Sequence, residues 1–145
     1  MNPSHFKKLE NLYLGAPINT ELFPSTCCTI DKGKAEIEIE IDSKYFHALG
    51  AIHGSIYFKL LDDASYFAMS SMVTDYFLLT RTFELEFLKP VRSGRLKAVG
   101  KIRVLKEHCM EATAQLYDTS NNLVGVGNGS FAKSNQKLID TKGYQ

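Results

Sequence analysis

A His-Gly pair, His53-Gly54, opens a long and mostly apolar segment, and two carboxylates, Asp62 and Asp63, stand in its middle. A carboxylate inside an apolar helix is costly to bury unless it is paired or used, so this conflict with the local pattern marks a candidate site. At about 100° per residue, Ile56, Leu60, Leu61, Ala64, Phe67, Ala68 and Met72 fill one wide apolar arc, while Lys59, Asp63, Tyr66 and Ser70 form a narrow polar stripe. Asp63 lies one turn after Lys59, the spacing of a solvated helix ion pair. Asp62 falls outside the stripe, near Phe58, Ser65 and Tyr66, where partial desolvation pushes a carboxyl pKa upward. The alternative for Asp62 is a structural carboxylate bonded to a tyrosine hydroxyl or to backbone.

The first N–H groups of a helix have no internal acceptor and carry the positive end of its dipole. Gly54 and Ser55 occupy that position, and a glycine there admits close approach of a ligand. Such N–H groups suit a carbonyl oxygen that becomes negative during reaction. His53 reads more readily as a helix cap or packing group than as a catalyst. Nine residues separate it from Asp62, about 13 Å along the axis and on the opposite side, so both serve one site only if a second subunit brings them together.

The elements that must hold these groups follow from periodicity. Residues 4–14 place Phe6, Leu9, Leu12 and Tyr13 on one side of a short helix, and two prolines mark a linker up to residue 24. A strand is expected over 25–31, a turn at Asp31-Lys32-Gly33, and a second strand over 35–41. That strand sets Ala35, Ile37, Ile39 and Ile41 against Glu36, Glu38 and Glu40, the pattern of a half-solvated antiparallel strand. The central helix is expected over 54–73. Alternating segments around 82–87, 96–104, 112–116 and 123–132 complete the pattern, with a frayed tail in the last ten or so residues. This order predicts one α+β domain over 1–145, an antiparallel sheet curved around one long helix, with a helix and linker over 1–24 and a tail over 135–145.

Composition narrows the function classes. The 145 residues are 44% hydrophobic and 23% charged with a net charge of +1, so nothing favours nucleic acid or an anionic membrane as partner. Cys27, Cys28 and Cys109 form no C-x-x-C pair and read as reduced thiols, and the polar N-terminus lacks a secretory apolar region, so a cytoplasmic location is expected. Histidines and cysteines show no metal-ligand spacing.

The segment His47-Ala48-Leu49-Gly50-Ala51-Ile52-His53-Gly54-Ser55, with Asp62 nine residues after His53, resembles the motif of hot-dog fold acyl-CoA thioesterases of the PaaI-like, phenylacetate-degradation branch. There an N-x-x-G-x-x-H-G-G segment precedes the helix and an aspartate follows nine residues after the histidine. Phe87-Leu88-Lys89-Pro90 and Ser93-Gly94 also match, and the likeness covers about residues 34–133. It implies an antiparallel sheet wrapped around one helix and hydrolysis of a small, medium-chain or aryl acyl-CoA without a cofactor. Asp62 would act as general base or nucleophile, the Gly54 N–H as oxyanion donor, and the Thr80 hydroxyl would help orient water. The resemblance implies a homodimer, or a dimer of dimers, with each site shared between subunits. The family's asparagine is His47 here, a donor of different reach, and its second motif glycine is Ser55. Substrate contacts are expected from His53, Ser55, Phe58, Tyr66 and Phe83, with Met69 a further pocket candidate. Arg92 and Arg95, near Lys89 and Lys97, would meet CoA phosphates. The alternative is a hot-dog protein that binds acyl-CoA or lipid without turnover; a hot-dog dehydratase fits the surrounding sequence poorly.

Overall fold

The computed structural model describes residues 3–145. Helix α1 (Pro3–Leu14) and one turn of π-helix (Ile18–Leu22) precede strands β1 (Cys27–Asp31) and β2 (Lys34–Glu40). Helix α2 (Gly54–Ser70) follows, then β3 (Tyr76–Phe87), β4 (Arg95–Lys106), β5 (Cys109–Tyr117) and β6 (Leu123–Lys137). The six strands form one antiparallel sheet in the order β1-β2-β4-β5-β6-β3. This is the α+β, hot-dog arrangement, with α2 as the filling and β3 as an edge strand.

The alternation in β2 does what period two requires: Ala35, Ile37 and Ile39 are fully buried under α2, and Glu40 is exposed on the other face. Leu96 and Ala98 of β4 and Ala114 and Leu116 of β5 continue the same floor against Leu60, Leu61 and Ala64. Gly100 in β4 has a specific reason. A Cβ there would collide with the Ala64 carbonyl, so glycine lets the helix backbone rest directly on the sheet. On β6, Gly127 and Gly129 lie under the Phe83 ring, with no room for a side chain beneath it.

Helix α2 stops three residues earlier than expected, at Ser70. The Ser71 hydroxyl donates to the Ala68 carbonyl at 2.7 Å and accepts the Gly33 N–H at 2.8 Å, capping the helix against the β1–β2 turn. Strand β3 begins six residues before the alternation at 82 declares it. Its start, Tyr76–Leu79, is a run of apolar residues without period two.

The segment expected to fray is packed instead. Strand β6 extends to Lys137, Leu138 is buried, and a short 3₁₀ turn spans Leu138–Asp140. Beyond it the Tyr144 hydroxyl meets His5 Nδ1 at 2.7 Å, and His5 Nε2 donates to the Ser70 carbonyl at 2.8 Å. The Asn11 amide donates to the Gln145 carbonyl at 2.6 Å. The two end segments are thereby clipped to each other and to the C-terminal end of α2. No helix among the described residues is long and apolar enough to cross a membrane.

Candidate active site

At the start of α2, the Ser55 N–H donates to His53 Nδ1 at 3.0 Å, and the Ser55 hydroxyl lies 2.8 Å from the same nitrogen. A backbone N–H can only donate, so Nδ1 is the acceptor and the ring proton sits on Nε2. His53 is thus the N-cap, and Ser55 is engaged with it. Gly54 follows as the first helical residue, with the Phe87 ring against it; an added Cβ would stand only 3.1 Å from that ring. Its N–H precedes the helical ladder and has no acceptor within the helix.

His47 is fixed by a tight loop. Its N–H donates to Ala51 O at 2.9 Å, its Nδ1 accepts the Leu49 N–H at 3.1 Å, and Gly50 takes φ +77° to close the turn. His47 therefore also carries its proton on Nε2. His47 and Gly54 line one groove together with Tyr57, Phe87 and Lys89, while His53, Ser55 and Phe58 line a shallow neighbouring one.

Asp62 lies two turns further along α2. Its Oδ1 accepts the Thr80 hydroxyl of β3 at 2.9 Å, and no described residue bonds its Oδ2. Both residues open into a cavity of about 850 Å³ whose walls include Phe58, Tyr66, Phe67 and Phe77. Burial raises the Asp62 pKa to about 6; the Thr80 hydrogen bond opposes the rise, Asp63 adds to it and Lys59 opposes it. Tyr66 helps set this geometry, since its hydroxyl donates to the Leu78 carbonyl at 2.7 Å and ties α2 to β3.

Asp63 is not the solvated partner of Lys59 that helix spacing suggests. The pair meets at 2.7 Å with side-chain exposures of 12% for Lys59 and 23% for Asp63, because α1 and the π-turn cover it. The Tyr13 hydroxyl donates to Asp63 Oδ2 at 2.7 Å, and Lys59 also donates to Tyr13 Oη at 3.1 Å and Asn19 Oδ1 at 2.8 Å. The ammonium lies 4.8 Å from the Phe23 ring centre and 5.1 Å from that of Tyr13. Burial drives the Tyr13 hydroxyl far above the usual phenol range, so it stays a donor to Asp63.

Other expected contacts are placed differently. Phe83 packs on Phe58 at 5.1 Å between ring centres and does not line the Asp62 cavity. Met69 is fully buried in a core cluster with Leu78, Met110 and Phe131. Arg95 is paired within the sheet, with Glu38 at 3.0 Å and Glu40 at 3.2 Å, because β4 pairs with β2 in that register and brings charge complements opposite. Arg92 stays exposed in the loop before β4. Sequence reasoning missed Tyr13, Asn19 and the roof of the cavity over residues 12–19 and 141–143. The one available signal was the apolar side of the first helix, which demanded a buried partner.

The chain belongs to the thioesterase superfamily, whose family model matches residues 49–124, just over half of its length. In a comparison with curated proteins, none matches. Solved structures agree on the fold. The chain is similar to the Escherichia coli PaaI protein of the phenylacetic acid degradation operon, with TM-score 0.81 and 16% identity over 92% of this chain and 96% of that one. It is similar to a thioesterase family protein from Silicibacter pomeroyi, with TM-score 0.78 and 20% identity over 86% and 94% of the two chains. A point mutant of the phenylacetic acid degradation protein PaaI from Thermus thermophilus matches with TM-score 0.72 and 16% identity over 82% of this chain and all of the other (100%).

Proposed function

We propose that the protein hydrolyses acyl-CoA thioesters with Asp62 as its catalytic carboxylate. The observation that carries this reading is the state of that carboxylate: half-buried, one oxygen held by Thr80, the other open to an apolar cavity. Oδ2 takes a proton from water, which attacks the thioester carbon, or attacks that carbon itself to give an anhydride that water then opens. In both routes CoA leaves as the thiol. The Gly54 N–H, at the positive end of α2, holds the carbonyl oxygen as it becomes negative, and His47 Nε2–H donates from the same groove.

Gly54 and Asp62 lie about 12 Å apart along the helix, too far for one thioester to touch both in one chain. The reading therefore requires a homodimer, Asp62 and Thr80 from one subunit facing the helix start of the other. Edge strand β3 supports this. It is 12 residues long, lacks a neighbour on its outer side, and exposes Leu79 (54%) and Phe87 (59%). A long unpaired edge of that kind is a surface for pairing with a second copy. Lys89, in the groove with His47 and Gly54, and Arg92 would meet the CoA phosphates.

Free-thiol release from short, medium, long and aryl acyl-CoAs tests the activity. Turnover on at least one class is expected; release from none, with acyl-CoA still raising the melting temperature, would make this a binding protein. Single turnover in ¹⁸O-water bears on the route: label in the Asp62 carboxyl shows an anhydride that water opens at the aspartyl carbonyl.

A further inference from the structure

We propose that the cavity beside Asp62 receives the acyl group, and that it selects uncharged alkyl or aryl groups and rejects those ending in a carboxylate. This rests on the hydrolytic reading above and adds to it the class of acyl group.

The cavity, about 850 Å³, lies within the range of small-molecule sites and opens on Asp62 and Thr80. Its walls are aromatic and aliphatic, with Leu79 on one side and Ile18 at the roof. Most of its polar side chains are already engaged, Asp62 Oδ2 and the rim residue Lys142 excepted. The Tyr66 hydroxyl donates to the Leu78 carbonyl, and the Tyr13 hydroxyl to Asp63. The Asn19 amide donates to the Tyr13 carbonyl at 2.7 Å. Lys59 has three N–H donors and three acceptors, at 3.1 Å from Tyr13, 2.8 Å from Asn19 and 2.7 Å from Asp63.

No donor on the ammonium is left for an incoming carboxylate, and Asp62 and Asp63 together outweigh Lys59 in charge. Lys142 is the other cation of the lining, and it is exposed to water at the rim, where its pull is screened. A carboxylate carried inward would lose its hydration and find no partner, a far larger penalty than a methylene's gain.

The roof sets the length that fits. Leu12–Asn19 and Thr141–Gly143 close the cavity, and the His5–Tyr144 and Asn11–Gln145 bonds hold these segments down. Ala16 is a small residue of this roof, so a larger side chain there shortens the space.

Three CoA thioethers that cannot be hydrolysed, S-ethyl, S-octyl and S-(ω-carboxyheptyl), test the proposal by calorimetry, with thiol release from the corresponding esters measured in parallel. S-octyl-CoA is expected to bind about 100-fold tighter than its ω-carboxy counterpart. Ala16→Trp should weaken S-octyl binding about tenfold and leave S-ethyl unchanged; Ile18→Trp, at a half-exposed roof position, repeats this if the first variant does not fold. Equal affinity for the octyl and carboxyheptyl compounds, or an octyl-to-ethyl ratio unmoved in folded roof variants, would overturn the proposal, as would failure of all three to bind. Tight, selective binding without thiol release would keep the cavity assignment and remove the hydrolytic reading. Equal hydrolysis of both long esters would do the reverse.

Discussion

Asp62 and Asp63 are adjacent, yet their surroundings assign them opposite tasks. Asp63 is held by a cation and a phenol beneath α1, and Asp62 by one hydroxyl beside an open cavity. Replacing Asp63 by Asn leaves Lys59 with a weakened partner in a buried place, so a loss of about 2 kcal/mol is expected in urea unfolding. Asp62 behaves in the opposite sense. Its folded pKa, about 6, lies above the ordinary 3.8, so folding favours the protonated form. The ionised carboxylate weighs against the fold above about pH 6, and that cost fades as pH falls through this value. Asp62→Asn should therefore unfold no earlier than the parent at pH 8, with a gain of about 1 kcal/mol once screening of this half-buried group is allowed for. In the proposed mechanism the same titration governs catalysis, because only the ionised form is base or nucleophile. The turnover rate is expected to rise with pH through about 6 and then level, and a pH profile flat from 5 to 8 would remove Asp62 from the role. Thr80→Val deletes the bond that opposes the upward shift, so the rising limb should move to higher pH. Arg92→Ala should raise KM for the ester with kcat unchanged if this residue meets phosphate.

At the scale of elements, α2 presents the candidate groups and β4 sets its height. Gly100→Ala would drive a methyl into the Ala64 carbonyl, and a destabilisation of about 3 kcal/mol is expected from thermal unfolding because neither backbone yields cheaply. How legible each element was depended on its surroundings. Strand β2 was plain because one face is charged and the other meets α2. The start of β3 was hidden because Tyr76–Leu79 is apolar without alternation, facing the core with Leu78 and the outside with Leu79. Asp62 stood out because it broke the helix pattern, and Thr80 entered only through family resemblance. Asp63 was misread because a wheel shows which residues share a face and not what covers that face. The cover, Tyr13 and Asn19, arrives from 50 and 44 positions away, by a packing that no local period encodes. The tail was misread for the same reason: Tyr144 is held by His5, a contact across almost the whole chain.

At the scale of the molecule, the separation of Gly54 from Asp62 makes assembly part of the proposed chemistry. Leu79→Lys on the β3 edge should shift the protein to monomers in sedimentation while the far-ultraviolet spectrum stays unchanged; a variant that stays dimeric would place the interface elsewhere. The central claim, that Asp62 in this fold hydrolyses a thioester, is tested most directly by kcat for thiol release from the best acyl-CoA in the parent, Asp62→Asn and Asp63→Asn proteins, each confirmed folded and dimeric. The expected result is a fall of about 10²–10⁴-fold for Asp62→Asn and a change of less than about tenfold for Asp63→Asn. Equal losses from both, or full activity in Asp62→Asn, would contradict the assignment.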